Sequence, residues 1–208
     1  MKNYDKESEL VLIFKTTLLN ELGYFSGINI NYEKYMDKII GERLYFFLSR
    51  REVENNPDYK QLIPYVIFTF QDKILYYVRG KGSGEKRLNL LGSIGIGGHI
   101  NYYDFNLFQT DKDAYISAMK REVFEEIEIN STFDSKIVGV LNDDSNDVGK
   151  VHFGVIHLWK LHSDKVFKRE KEITKITFKT ISEIEREFDI LETWSKLCFK
   201  NIHSLINF

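Results

Sequence analysis

Apolar positions in the first sixty residues come in short blocks. Leu10–Phe14 is a run too short to separate a strand from the start of a helix. Thr16–Leu22 reads as a helix stopped by Gly23, and Tyr32, Tyr35, Met36 and Ile39 keep helical spacing up to Gly41. Leu44–Leu48 reads as a strand, and a charged stretch from Arg50 to Glu54 runs into the turn signal Asn55-Asn56-Pro57. From Ile63 the pattern turns to β. Ile63–Phe70 and Lys73–Arg79 flank Gln71-Asp72 and predict a hairpin. Leu88–Leu91 and Ile94–Ile96 read as short strands, and Gly97-Gly98 follows, where the chain bends tightly or lets another group come close.

The second half alternates the two periods. A loop over Asn101–Thr110 leads to a helix capped by Asp111 or Asp113, with Ile116, Met119, Val123 and Ile127 as its apolar stripe and Asn130 as its C-cap. Strands are expected at Lys136–Leu141, Val151–Trp159 and Ile173–Phe178. Thr180 with Glu183 is a capping-box signature. Leu191–Ile206 is a final amphipathic helix, with Trp194, Leu197, Cys198, Ile202 and Leu205 at core spacing. Strands mixed with few, long helices predict an α+β fold, a mixed central sheet covered by helices. Residues 1–60 are expected as an N-terminal extension packed on a main domain of residues 61–208.

Composition narrows the function classes. With 208 residues, 43% hydrophobic and 29% charged, the chain can bury one substantial core. A formal charge of −2 and no basic stripe argue against nucleic acid as a partner. One cysteine, Cys198, excludes an intrachain disulfide and a cysteine-rich zinc site. Met1 to Glu9 is charged and Leu10–Phe14 is too short for a signal-peptide core or a membrane span, so no membrane partner and a cytoplasmic location are expected. His152 and His157 fall on opposite faces of one strand, which argues against a shared metal site.

The stretch with chemical content is Arg121-Glu122-Val123-Phe124-Glu125-Glu126. On a helix, Glu122, Glu125 and Glu126 are i, i+3 and i+4 and share a face. A solvated acidic surface is the ordinary explanation of such a face. A hard divalent cation, which takes several oxygen ligands, is the alternative.

The surroundings favour the second. Gly97-Gly98, a loop, then Arg121-Glu122-Val123-Phe124-Glu125-Glu126-Ile127-Glu128-Ile129 resembles the Nudix box, G-x5-E-x7-R-E-U-x-E-E-x-G-U, with U a bulky aliphatic. Asp113 stands where the box has its first Glu, and Glu128 where it has a late Gly. The loop from Gly98 to Asp113 is nine residues longer than the pattern, an insertion within Asn101–Thr110.

The resemblance implies a Nudix-type α/β/α sandwich and Mg²⁺- or Mn²⁺-dependent hydrolysis of a nucleoside diphosphate linked to another moiety. It places the metal on Glu122, Glu125 and Glu126, joined by a backbone carbonyl at Gly97 or Gly98, with Gly98 preferred. Arg121 orients a carboxylate, and Asp113 and Gly97 support the site. The candidates for the base are Asp143, Asp144, Glu170 and Glu172. Arg79, just before the glycine-rich loop Gly80–Arg87, and Arg87, at its end, are candidates for substrate phosphate. A small nucleotide is the expected partner, and a homodimer is compatible with it. A non-catalytic Nudix-fold module that senses a nucleotide or binds a protein is the alternative reading.

Overall fold

The computed structural model describes residues 8–80, 91–106, 108–169 and 173–207. Arg87, Glu170 and Glu172, and all but the first residue of the glycine-rich loop, lie outside the described residues.

In chain order the elements are β1 (Leu10–Lys15), α1 (Thr17–Leu22), β2 (Gly27–Asn29), α2 (Glu33–Met36), β3 (Phe46–Ser49), α3 (Arg50–Val53), β4 (Tyr59–Phe70) and β5 (Lys73–Arg79). There follow β6 (Gly92–Ser93), β7 (Gly95–Gly97), α4 (Asp111–Glu126), β8 (Ile127–Ile129), β9 (Phe133–Asn142), α5 (Asp147–Val151), β10 (His152–Leu161) and β11 (Val166–Lys168). The chain closes with β12 (Ile173–Thr180), α6 (Ile181–Glu185), α7 (Thr193–Lys200) and α8 (Ile202–Ile206). The large sheet has the hydrogen-bonded order β12-β5-β4-β10-β9-β2, with β1 on β3 and β4, β6 on β5, and β7 on β4. The expected α+β class with a mixed sheet and helices is the class found.

Two compact units divide the chain, one of Met1–Pro64, Gly98–Lys120 and Gly139–Val155, the other of Tyr65–Gly97, Arg121–Val138 and Ile156–Phe208. In the first, the ambiguous run Leu10–Phe14 is the strand β1. Val11, Leu12, Ile13 and Phe14 are all buried, so both faces are covered and a continuous apolar run fits. It pairs antiparallel with β3, Leu10 opposite Ser49, and with the start of β4, Phe14 opposite Lys60. Val53 of α3 packs on Val11 and Ile13. Phe14, Phe25 and Tyr35 gather around Phe153 with ring centroids 5.4 to 6.0 Å away.

The inserted loop has a place in this unit. Phe47 of β3 meets Tyr102 and Phe105 edge-on. Asp111 is held by Arg43 Nε and the Tyr45 hydroxyl, each at 2.7 Å. The cap of α4 is therefore neither Asp111 nor Asp113. Thr110 accepts from Asp113 N–H at 3.2 Å and donates to the Asp113 carboxylate at 2.6 Å, a capping pair one position earlier. The buried residues of α4 are Ala114, Tyr115, Ala118, Met119 and Val123; Ile116, expected on the stripe, is only half-buried.

In the second unit β5 pairs with β12 from Lys73–Thr180 to Arg79–Ile173 with one bulge. The β4–β5 hairpin turns at Gln71, at φ 55, and Asp72. Phe133 stacks on Trp159 at 4.1 Å and 7°. The final helix is two pieces, α7 and α8, broken at Asn201. Trp194 and Leu197 are half-buried, while Ser195 is fully buried, so the apolar spacing misplaced part of that face. The reason is polar. Glu192 accepts from Tyr65 Oη (2.8 Å), Ser93 Oγ (2.9 Å) and Ser195 Oγ (3.0 Å), a satisfied buried cluster that fixes the start of α7.

Candidate active site

The acidic face belongs to the last turns of α4, in the second unit. Arg121 Nη1 donates to Glu122 Oε1 at 2.6 Å and to Glu125 at 3.4 Å. One guanidinium nitrogen therefore holds oxygens of both carboxylates no more than about 6 Å apart. Glu122 is half-buried and Glu125 is 56% exposed. Glu126 lies toward Arg79. The Arg79 guanidinium is held above its ordinary pKa by Tyr77 first, against burial, and then by Glu126 and Glu192. Arg79 also donates to the Tyr77 hydroxyl at 3.0 Å, so this cation is engaged with the protein's own groups.

Helix α4 needs an end at Glu126, and no glycine supplies it. The chain passes directly into β8, and Arg169 takes the exposed carbonyls. Its Nη1 donates to Phe124 O and its N–H to Glu126 O, both at 2.9 Å. Asn130 is not a left-handed cap: the described non-glycine residues with positive φ are Arg43 and Gln71. It donates instead from its N–H to Lys165 O (2.9 Å), beside the β8–β11 ribbon.

Gly97 ends β7, opposite Tyr65. In the first unit, Gly98 opens a segment whose Ile100 carbonyl accepts from Leu12 N–H at 2.8 Å. Asp113, expected from the sequence to support the site, is in the first turn of α4 with its carboxylate accepting from the Thr110 hydroxyl.

The acidic loop after β9 is also in the first unit, with Asp143 bonded inside the loop and Asp144 to groups outside it. Asp143 is buried and accepts from Ser145 N–H (3.1 Å) and Asn146 Nδ2 (3.3 Å). Asp144 pairs with the buried Lys60 ammonium and accepts from the Tyr24 hydroxyl at 2.8 Å. Burial pushes its pKa up, but the bonds from Lys60 and Tyr24 outweigh that and hold it below the usual range. Asp147 opens α5 under the Asn146 cap.

Sequence reasoning missed one group. Among the described residues, Glu54, His99 and His152 bring ligand atoms within 4.8 Å of one another. The strand alternation relates His152 only to His157, on the same strand. His157 is fully buried, and burial pushes its pKa down to about 3. The partner of His152 is His99, whose ring centroid is 5.6 Å away. The available signal was a histidine directly after a double glycine.

A helix end carrying Arg121, Glu122, Glu125 and Glu126, preceded in the sequence by Gly97-Gly98 and set in an α+β fold, resembles the Nudix hydrolases, and the comparisons agree. No family model matches the chain. Protein YmaB of Bacillus subtilis (strain 168) is 35% identical over 164 residues, 74% of this chain and 77% of that protein. The solved structure of Tm1382, described as a candidate Nudix hydrolase, is 29% identical and superposes with a TM-score of 0.79 over 95% of this chain and 100% of that chain. The Nudix domain of Shewanella oneidensis NrtR, solved with ADP ribose, has a TM-score of 0.52 at 10% identity, over 69% of this chain and 86% of that one, a likeness of fold alone. The chain belongs to the Nudix hydrolase superfamily.

Proposed function

We propose that this protein hydrolyses the phosphoanhydride of a nucleoside diphosphate linked to another moiety, with Mg²⁺ or Mn²⁺ held by Glu122, Glu125 and Glu126. The observation that carries this reading is the shared guanidinium nitrogen. Arg121 draws Glu122 and Glu125 to one side of α4. The donor set is all oxygen, which suits a hard cation. Bound there, the ion would polarise the diphosphate oxygens and lower the pKa of an attacking water.

The protein's own part is positioning. Arg121 fixes the rotamers of two carboxylates and cancels one of their charges, leaving an excess of negative charge for a cation. Arg169 at the helix end keeps the last turn formed, so Glu125 and Glu126 stay on a rigid element. Arg79 beside Glu126 offsets a further carboxylate charge. Phosphoryl transfer asks for little beyond such placement and electrostatics.

The test is a Mg²⁺-dependent turnover screen over ADP-ribose and other nucleoside diphosphate sugars, dinucleoside polyphosphates and damaged nucleotides. Glu125→Gln is expected to lower turnover by about 100-fold or more, since even the outer partners of metal ligands cost 10–100-fold. No turnover of any compound, together with unchanged Mg²⁺ affinity in Glu125→Gln, would remove the proposal. Tight nucleotide binding without turnover would assign the chain to the sensing or binding class instead.

A further inference from the structure

Three segments far apart in sequence meet inside the first unit. Glu54 ends α3, its N–H donating to Arg50 O at 2.9 Å and its carboxylate accepting from Arg50 Nε at 3.2 Å. His99 stands between Gly98 and the buried Ile100, in the stretch that is bonded to β1 through Leu12 N–H at 2.8 Å. His152 follows α5 and opens β10, 5% exposed. Glu54 and His152 are thus held through their own backbone N–H groups, on Arg50 O and Gly149 O, and His99 is next to the anchored Ile100.

The chemistry of the trio is that of a metal centre. His152 Nδ1 lies 2.7 Å from the Val148 carbonyl. A carbonyl oxygen only accepts, so Nδ1 carries a proton, and in the neutral ring Nε2 is then the nitrogen with a lone pair to offer a metal. Orientation of a ligating imidazole by a backbone carbonyl is the usual outer support of such a ligand. Glu54 has the corresponding support in Arg50. Two imidazoles and a carboxylate suit zinc and its transition-metal neighbours and not magnesium, which takes oxygen ligands and water. Donors around a tetrahedral ion at about 2.0–2.1 Å stand about 3.3 Å apart. From separations within 4.8 Å, side-chain movements of about 1.5 Å complete that triangle.

We propose that Glu54, His99 and His152 form a binding site for a zinc-class divalent transition-metal ion, with water in the fourth position. It is separate in residues and in ligand chemistry from the carboxylates of α4. The ion ties the end of α3, the stretch after the double glycine and the start of β10 to one point. Closing loops of that length also restricts the unfolded chain, so binding stabilises the fold.

The experiment uses the full chain, stripped with chelator and returned to chelator-free buffer, titrated with Zn²⁺ against a chromophoric competitor and with Co²⁺ for its visible spectrum. One zinc per chain, a four-coordinate cobalt spectrum and a higher melting temperature with zinc are expected. His99→Gln and His152→Gln are expected to weaken zinc binding by more than about 100-fold, because even outer partners are worth 10–100-fold. Glu125→Gln leaves it unchanged. Circular dichroism of the metal-free variants confirms that they fold, and Glu54→Gln, at a half-buried helix end, replaces either histidine variant if it does not. Zinc binding that survives loss of the histidines, or that is lost in Glu125→Gln, overturns the site. So does a wild-type chain that takes up no stoichiometric zinc.

Discussion

His157 makes the acid stability of this fold calculable. It is buried in β10, and burial pushes its pKa down to about 3. In the unfolded chain the imidazole titrates near 6.5. Between those values the unfolded state binds a proton that the native state refuses, so stability falls as pH drops through 6.5 and continues to fall toward 3. Integrated from pH 7.5 to pH 5, the loss is about 2 kcal/mol, and the slope near pH 5 approaches ~1.4 kcal/mol per pH unit. Urea unfolding of the wild type and of His157→Gln at a series of pH values reads this directly. The variant is expected to be less stable at pH 7.5 but to lose about 2 kcal/mol less on going to pH 5. With a urea slope of about 2 kcal/mol per molar, that is a relative shift of about 1 M in midpoint. Parallel pH curves for the two proteins would refute the argument that a desolvated imidazole governs this range.

Two further outcomes test local packing. Gly149→Ala would put a Cβ 1.6 Å from the Asp143 carbonyl oxygen, a backbone clash that no rotamer relieves; a loss of about 3 kcal/mol or more is expected by urea unfolding. Thr110→Ala removes the acceptor for Asp113 N–H, and a loss of about 1 kcal/mol is expected, with Thr110→Ser restoring most of it.

Much of the fold was readable because burial and period agree where the chain is strongly apolar. β5 falls on Lys73–Arg79 as expected, and the Thr180–Glu183 capping box forms as written. Ends were less legible. Sequence spacing does not reveal that Arg43 and Tyr45 occupy Asp111, which leaves the cap of α4 to Thr110. Nor does it reveal that Arg169, forty-five residues from Phe124, closes the same helix in place of the missing glycine. The Arg121–Glu122–Glu125 cluster was legible because its members are helical neighbours. Glu54, His99 and His152 were not, since a site assembled from three distant segments carries no local period. The strand period sets His152 and His157 on opposite faces and carries no information about His99, which comes from another segment.

Cys198 has a practical use that follows from its place in α7. The chain's one thiol is fully buried beside Glu192, and desolvation pushes its pKa well above the ordinary value. A thiol-specific dye should therefore label the protein only when the C-terminal helix swings open. The labelling rate then becomes an intrinsic clock for the breathing of this segment, with no engineered probe and no second sulfhydryl to confuse the signal.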